Sequence, residues 1–139
     1  MDTLRQLKIM HALIVAVATL FGVATIVAGT RVLAGADPGY AVYRPLLIFN
    51  TAMGLAYVAA GVMAWRSIRR GKYAAGTIFV VNFLVLGATA YLYRSAGMVA
   101  VESVRAMVLR TVVWLLLFLG LAWMSRARPR PAGPPGGGA

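Results

Sequence analysis

Four long apolar segments, separated by short polar ones, set the hydropathy pattern of this chain. Each apolar segment is about 20 residues or longer, which is the length an α-helix needs to cross roughly 30 Å of hydrocarbon. The pattern therefore predicts four transmembrane helices, at approximately residues 8–34, 45–70, 73–95 and 98–126. We expect an all-α fold, an integral membrane four-helix bundle that forms one domain over residues 1–126.

A basic stretch, WRSIRRGKY at residues 65–73, separates the second apolar segment from the third. It contains Arg66, Arg69, Arg70 and Lys72, and an aromatic residue stands at each edge. Tryptophan and tyrosine are enriched at membrane interfaces, and cytoplasmic loops are enriched in lysine and arginine. The stretch is therefore typical of a short cytoplasmic turn between two membrane-spanning helices.

The distribution of basic residues predicts the orientation of the whole chain. Four spans place both termini and the turn between the second and third helices on one side. The basic residues of that side are Arg5, Lys8, Arg66, Arg69, Arg70, Lys72, Arg126, Arg128 and Arg130. Those of the opposite side are Arg31, Arg44, Arg94, Arg105 and Arg110. Because the first side has the excess, we expect a multi-pass protein of the inner (cytoplasmic) membrane with both termini in the cytoplasm.

Both ends of the chain differ in composition from the segments between them. A charged lead precedes the first apolar segment, and Ala34-Gly35-Ala36 has the small-x-small pattern of a signal-peptide cleavage site. That segment is longer than a usual signal, and Arg31 lies before the potential cleavage point, so we expect a retained first helix. Residues 127–139 are basic and rich in proline and glycine, which predicts a disordered tail.

Two prolines mark the connection between the first and second helices. Asp37-Pro38-Gly39 is a turn sequence, because proline restricts φ and glycine adopts positive φ freely. Pro45 is placed at the predicted start of the second helix, where its missing N–H costs no helical hydrogen bond. We expect this connection to be the first external loop.

Small residues predict which faces of the second helix meet other helices. Lipid tails are as apolar as leucine, so membrane helices pack mainly through small residues and a few hydrogen bonds. One small face comprises Ala52, Ala56, Ala59, Ala60 and Met63, another comprises Asn50, Gly54, Tyr57 and Gly61, and a bulky face comprises Leu55, Val58 and Val62. We expect the small faces to contact neighbouring helices and the bulky face to contact lipid.

Composition excludes several classes of function. Hydrophobic residues make up 61% of the chain and charged residues 12%, whereas soluble proteins are about half apolar and about a quarter charged. The net charge of +11 lies largely in loops and tails, where it meets anionic lipid headgroups, so we expect no nucleic-acid partner. The chain has no cysteine and one histidine, His11; we therefore expect no metal site and no cofactor.

Polar residues inside the apolar segments form two layers when depth is counted from the predicted cytoplasmic ends. At 1.5 Å per residue, Thr19, Tyr57, Asn82 and Trp114 lie at about 12–15 Å, near the midplane. Thr25, Asn50, Thr89 and Arg110 lie at about 21–24 Å, just below the outer interface. The candidate ligand-binding residues are Arg110, Asn50, Thr89, Trp114, Asn82 and Tyr57.

These layers have two interpretations. An asparagine or tyrosine inside a bundle hydrogen-bonds to a neighbouring helix and fixes its position, for about 0.6 kcal/mol per bond. Alternatively, the residues line a small polar pocket near the outer leaflet for a lipid headgroup, a quinone or a polar solute. Arg110 lies roughly 9 Å beneath the predicted outer boundary. From there its side chain either snorkels to the headgroups or turns inward toward Asn50 or Thr89.

The sequence supports three hypotheses of function, none of them enzymatic, because the acidic residues Asp2, Asp37 and Glu102 all fall in tails, loops or a helix end. The first is an accessory or scaffolding subunit of a membrane complex, which rests on small-residue faces and minimal loops. The second is an oligomeric carrier or binding protein for a lipid-like, quinone or anionic small molecule. The third is a haem or electron-transfer subunit through His11.

The partners expected from these hypotheses lie in the membrane. They are membrane lipids, with anionic headgroups among them, other membrane subunits, and further copies of the chain itself as a homo-oligomer. Oligomerisation belongs to the carrier hypothesis, because four short helices are few for a transport path.

The predicted orientation can be tested with single cysteines, since the chain has none of its own. Tyr40→Cys lies in the predicted external loop and Arg69→Cys in the predicted cytoplasmic turn. With a membrane-impermeant thiol reagent on intact cells, we expect labelling at position 40 only, and labelling at position 69 once the cells are permeabilised. Labelling of position 69 but not 40 in intact cells would reverse the orientation.

Overall fold

The computed structural model describes residues 2–127 and residue 133. The described part contains four α-helices, α1 (Asp2–Leu33), α2 (Arg44–Arg66), α3 (Ile68–Ser95) and α4 (Val101–Ala127). Each helix is long and apolar enough to cross a membrane, which confirms the prediction of an all-helical chain with four such segments. The predicted tail lies outside the described residues, apart from Ala127 at the end of α4 and Gly133.

The turn between α2 and α3 is shorter than predicted, because Ser67 is the single residue between the two helices. The Ser67 hydroxyl accepts a hydrogen bond from Arg70 N at 3.3 Å, and Ser67 N donates to Met63 O at 2.8 Å. Serine is a favoured N-cap, since its side chain satisfies an N–H group that a helix start leaves free. Arg69, Arg70 and Lys72 therefore belong to α3, and the prediction of a break after residue 70 was wrong.

Gly71 permits this sharp turn. A Cβ atom at position 71 would lie 2.5 Å from Ala64 Cα, which is closer than side-chain carbons approach backbone atoms. The absence of a side chain lets the first turns of α3 pack directly on the last turns of α2, so the reversal of the chain needs no loop.

Two other boundaries differ from the predicted ones. α1 begins at Asp2 rather than near residue 8, and at 1.5 Å per residue its length of about 48 Å exceeds the hydrocarbon thickness of about 30 Å. Asp2 in its first turn complements the positive end of the helix dipole. α4 begins at Val101 rather than residue 98, because Gly97 turns the chain with a φ of 58° and Val99 is buried ahead of the helix.

The loop between α1 and α2 contains the predicted turn. Gly39 N donates a hydrogen bond to Asp37 Oδ1 at 2.8 Å, and Gly39 has a φ of 83°. Glycine adopts this left-handed conformation without a steric penalty. Pro45 lies in the first turn of α2, as its missing N–H allows. The predicted turn and the predicted position of Pro45 at the helix start are confirmed.

The four helices form a ring in which each contacts the next along the chain and α4 returns to α1. The α1–α2 contact is the most extensive and the α4–α1 contact the least. Helices joined by short connections run antiparallel. Residues 34–43 and 96–100 thus lie at one end, which we call the loop end. The start of α1, Ser67 and the end of α4 lie at the other, which we call the termini end.

Glycines bring the backbones of α1 and α2 into contact. A Cβ atom at Gly22 would lie 2.8 Å from Val58 N and 2.9 Å from Gly54 O. Nearer the termini end, Gly61 packs on Thr19, with an ideal Cβ only 3.2 Å from the Thr19 backbone nitrogen. Such close approach increases van der Waals contact, which is the main attraction between helices in lipid.

The predicted faces of α2 are wrong in part. Val58 belongs to the predicted lipid face, yet its side chain packs on Gly22 of α1. Ala59 and Met63 belong to a predicted contact face, yet both are exposed. The other predicted contact face is correct, because its members Gly54, Tyr57 and Gly61 are all buried. The fully buried Tyr57 turns this side of α2 toward the core, which leaves Ala59 and Met63 on the opposite side.

A glycine-to-alanine pair tests the α1–α2 contact. Gly22→Ala is expected to destabilise the bundle by about 1–3 kcal/mol, because the added methyl group overlaps backbone atoms of α2. The control is Gly87→Ala in α3, where a Cβ meets nothing within 4 Å; alanine favours helix there, so stability should hold or rise. Free energies of unfolding from detergent titration measure both. Equal losses in the two variants would contradict the close packing.

Candidate functional site

The six predicted site residues fall into three groups in the structure. The groups are Tyr57 with Asn82 and Trp114, Asn50 with Arg110, and Thr89 alone. The first group meets in the middle of the bundle, and the second lines a cavity nearer the loop end. Thr89 is buried in α3, where its hydroxyl donates to a carbonyl of its own helix at 2.7 Å, and it does not line that cavity.

Tyr57 of α2 contacts all three other helices. Its hydroxyl donates a hydrogen bond to Asn82 Oδ1 of α3 at 3.1 Å. Its ring packs on the ring of Trp114 of α4, with centroids 4.9 Å apart, and on Phe21 of α1 at 5.7 Å. Tyr57 and Asn82 are 0% exposed and Trp114 is 1% exposed. This cluster performs the structural role of the first interpretation, because it fixes the relative positions of the four helices.

The same cluster contains two donors without an acceptor. Asn82 Nδ2 and Trp114 Nε1 are both buried and have no hydrogen-bond partner within the described protein. Such groups are rare in folded proteins, since each costs about 1–3 kcal/mol. Because both groups donate, an acceptor such as a buried water molecule would satisfy them.

A cavity of about 120 Å³ lies between α1, α2, α4 and the 34–43 loop. This volume is large enough for several water molecules. Besides Asn50 and Arg110, its polar lining residues are Thr25, Thr51, Ser103, Tyr40 and Tyr43. Arg110 is the only charged residue in the described lining, so the cavity is electrostatically positive.

Arg110 enters the cavity wall from α4 and Asn50 enters it from α2. Arg110 Nε and Asn50 Oδ1 are both buried, and neither has a hydrogen-bond partner among residues 2–127. The hydroxyl hydrogens of Thr25 and Thr51 are used by carbonyls of their own helices, at 2.7 Å and 2.8 Å. Arg110 Nε is therefore a charged donor in the cavity wall without an acceptor among the described residues, and charge-assisted hydrogen bonds to anions are among the strongest that a guanidinium makes.

The size of the cavity restricts what it can hold. Pockets that enclose drug-sized molecules measure about 300–1,000 Å³, and this cavity, at about 120 Å³, is smaller. It fits an oxyanion or a part of a lipid headgroup, but not a complete quinone. Of the ligand classes expected from the sequence, the size excludes a complete quinone and leaves a lipid headgroup or a small polar solute.

His11 bridges two helices. With the ring proton on Nε2, it donates a hydrogen bond to Ala64 O of α2 at 2.7 Å. Ala64 is in the last turn of α2, where carbonyl groups have no donor within their own helix. The ring thus serves as a cap between α1 and α2, and haem ligation through Nε2 would break this bond. No group of three histidine or acidic side chains within residues 2–127 is placed to hold a metal ion.

The sequence-based candidates did not include Thr51 and Ser103, which also line the cavity. Ser103 had a usable signal, because it lies two helical turns before Arg110 and therefore on the same face of α4. Thr51 is adjacent to Asn50 but hydrogen-bonds within its own helix. Tyr40 and Tyr43 had a signal as well, since the sequence places both near the outer interface beside the turn at Asp37, and both line the cavity.

No protein family, curated protein or solved structure matches this chain. The arrangement of Arg110 and Asn50 is therefore the observation from which a function can be inferred.

The hydrogen bond in the core can be tested with a double-mutant cycle. Tyr57→Phe leaves Asn82 Oδ1 buried without a donor and should destabilise the bundle by about 1 kcal/mol. Combining it with Asn82→Leu removes both partners, so the double variant should lose less than the sum of the single losses, with a coupling of about 0.6 kcal/mol. Tyr91→Phe, at a position 70% exposed, is the control. Strictly additive losses in unfolding free energy would show that the bond contributes nothing.

Proposed function

We propose that this protein binds the anionic group of a lipid-like molecule in the cavity that Arg110 and Asn50 line. The observation that carries the proposal is Arg110 Nε, a charged donor buried in the cavity wall with no partner among the described residues. Arg110 as a whole is half-buried, but its Nε is buried, and a buried charged donor is costly unless it is hydrogen-bonded. A carboxylate or phosphate oxygen supplies both the charge and the acceptor.

The surroundings of the cavity favour an amphiphile over a free ion. The cavity accepts the anionic group, and apolar side chains at its boundary, Val32, Val42 and Leu47, offer contact to a hydrocarbon chain. A lipid-like molecule uses both features at once, whereas inorganic phosphate uses only the first. The proposed activity of the single chain is binding. In an oligomer, the proposed activity is transport of the bound molecule.

The proposed location is the inner (cytoplasmic) membrane, with both termini in the cytoplasm. Support comes from the excess of lysine and arginine at the termini end, since cytoplasmic segments are enriched in these residues. In this orientation the cavity opens toward the outer leaflet, and its ligand comes from that leaflet or from the compartment beyond it.

Variants of Arg110 test the proposal with defined probes. Oleate and oleyl phosphate share a hydrocarbon chain with oleyl alcohol but differ from it in charge, so the wild-type protein should retain the two anions and not the alcohol. Arg110→Gln should lose anion binding by tenfold or more, because charge-assisted hydrogen bonds contribute about 1.5–3 kcal/mol. Arg110→Lys keeps the charge without the planar fork and should bind with intermediate affinity. Native mass spectrometry in mild detergent measures retention.

The matched control is Arg105→Gln, which removes an exposed charge from the same helix. Anion retention should be unchanged in this variant. Retention of inorganic phosphate equal to that of oleyl phosphate would identify a free anion as the ligand. Equal retention of oleate by wild-type protein and Arg110→Gln would refute the proposal.

A groove between α2 and α3 favours a second function, that of an accessory or scaffolding subunit. Its lining includes the small residues Ala56, Ala59, Ala60 and Ala74, and small residues let a partner helix approach closely. Purification from native membranes in mild detergent distinguishes the two functions. A stoichiometric protein partner supports the accessory role, whereas an anionic amphiphile whose retention requires Arg110 supports the binding role.

A further inference from the structure

The termini end of the bundle has a second cavity, which is unrelated to the cavity at Arg110. It is a groove of about 600 Å³ between α1 and α2. Lys8 and His11 of α1 and Trp65 of α2 line its end, and the remainder of its lining is apolar apart from Thr19. The groove is therefore basic at one end and apolar along the rest, which matches an amphiphile with a polar headgroup and an apolar chain.

Small residues create the space in this groove. Ala12 and Ala16 of α1 lie opposite the stretch of α2 that contains Gly61, so little side-chain volume fills the region between the helices. On α1 the lining extends from Lys8 to Leu20, which at 1.5 Å per residue is about 18 Å. The hydrocarbon of one leaflet is half of the membrane core, about 15 Å. The groove thus has the length of one acyl chain in one leaflet.

Charge at the basic end is complementary to an anionic headgroup. Lys8 is the only formally charged residue in the described lining. The exposed Arg5 is one helical turn from Lys8, and the exposed Arg66 is next to Trp65. Trp65 is 74% exposed at the same end, as interfacial tryptophans are. Basic pockets between membrane helices commonly bind anionic lipid headgroups.

The two helices that form the groove contact each other at both of its ends, without a ligand. His11 Nε2 donates to Ala64 O at 2.7 Å and so joins α1 to α2 at the basic end. At the apolar end Gly61 packs against Thr19. These two contacts fix the separation of the helices on either side of Ala12 and Ala16. The groove is therefore preformed, and little ordering of the protein is required for binding.

We propose that this groove binds one glycerophospholipid with an anionic headgroup from the leaflet at the termini end. One acyl chain lies along Ala12, Ala16 and Gly61, and the phosphate lies at Lys8. The positive charge at a single end and the length of one leaflet favour a lipid over a membrane-spanning helix, which would need a contact surface across both leaflets.

The test compares two lipids with identical dioleoyl chains, anionic phosphatidylglycerol and zwitterionic phosphatidylcholine, on the full chain in mild detergent. Because the cavity at Arg110 is itself proposed to bind an anionic group, lipid binding is measured in the Arg110→Gln background, where we expect native mass spectra to show one phosphatidylglycerol bound more tightly than phosphatidylcholine. Lys8→Gln should weaken it about fivefold, since one basic residue near anionic lipid contributes about 1 kcal/mol, while Lys8→Arg should retain it. Ala16→Leu fills the groove and should remove the bound lipid.

Matched controls separate the groove from other effects. Ala24→Leu adds the same side chain to an exposed position of α1 outside the groove, and it should leave lipid binding intact. Because every variant carries Arg110→Gln, the cavity at the loop end does not contribute to the lipid that is measured. Equal binding of the two lipids, or no loss of binding in Lys8→Gln and Ala16→Leu, would overturn the proposal. A dimer that Ala16→Leu disrupts would instead identify a second copy as the occupant.

Discussion

The contacts of Tyr57 are the interaction on which the rest of this structure depends. One hydrogen bond to Asn82 and two ring contacts, to Phe21 and Trp114, join α2 to each of the other helices. In lipid there is little hydrophobic drive for helices to associate, so packing and polar contacts carry a larger share. A fully buried tyrosine supplies both, and it determines which side of α2 faces the bundle axis.

The orientation that Tyr57 imposes on α2 also positions the candidate site. Asn50 is seven residues from Tyr57, which is about two helical turns and the same face of α2. Arg110 is four residues from Trp114, about one turn along the same face of α4. Because Tyr57 and Trp114 are in ring contact, the two faces meet, and Asn50 and Arg110 come to line one cavity nearer the loop end. The Tyr57 cluster and the proposed binding site are thus formed by the same two faces of α2 and α4, at different depths in the bundle.

Glycine and alanine have opposite consequences at different levels of the α1–α2 interface. At Gly22 and Gly54 the helices are in backbone contact and leave no space. Nearer the termini end, Ala12 and Ala16 line an open groove, because the neighbouring contacts of His11 and Thr19 already set the separation of the helices. Small residues therefore make either a close contact or a binding groove, and the neighbouring contacts decide which.

The sequence by itself determined that this chain is helical, that it has four segments able to cross a membrane, and where its turns approximately lie. These features follow from local properties, namely the length of apolar runs, the turn residues Asp37 to Gly39, and proline at a helix start. The depth of polar residues followed as well, because rise per residue is constant in a helix, and this placed Tyr57, Asn82 and Trp114 in one layer. Only the tertiary structure decided how each helix is rotated about its own axis. It turned Val58 onto Gly22, brought Asn50 but not Thr89 to the cavity of Arg110, and paired His11 with Ala64. Helical spacing states which residues share a face, but contacts with other helices decide where that face points.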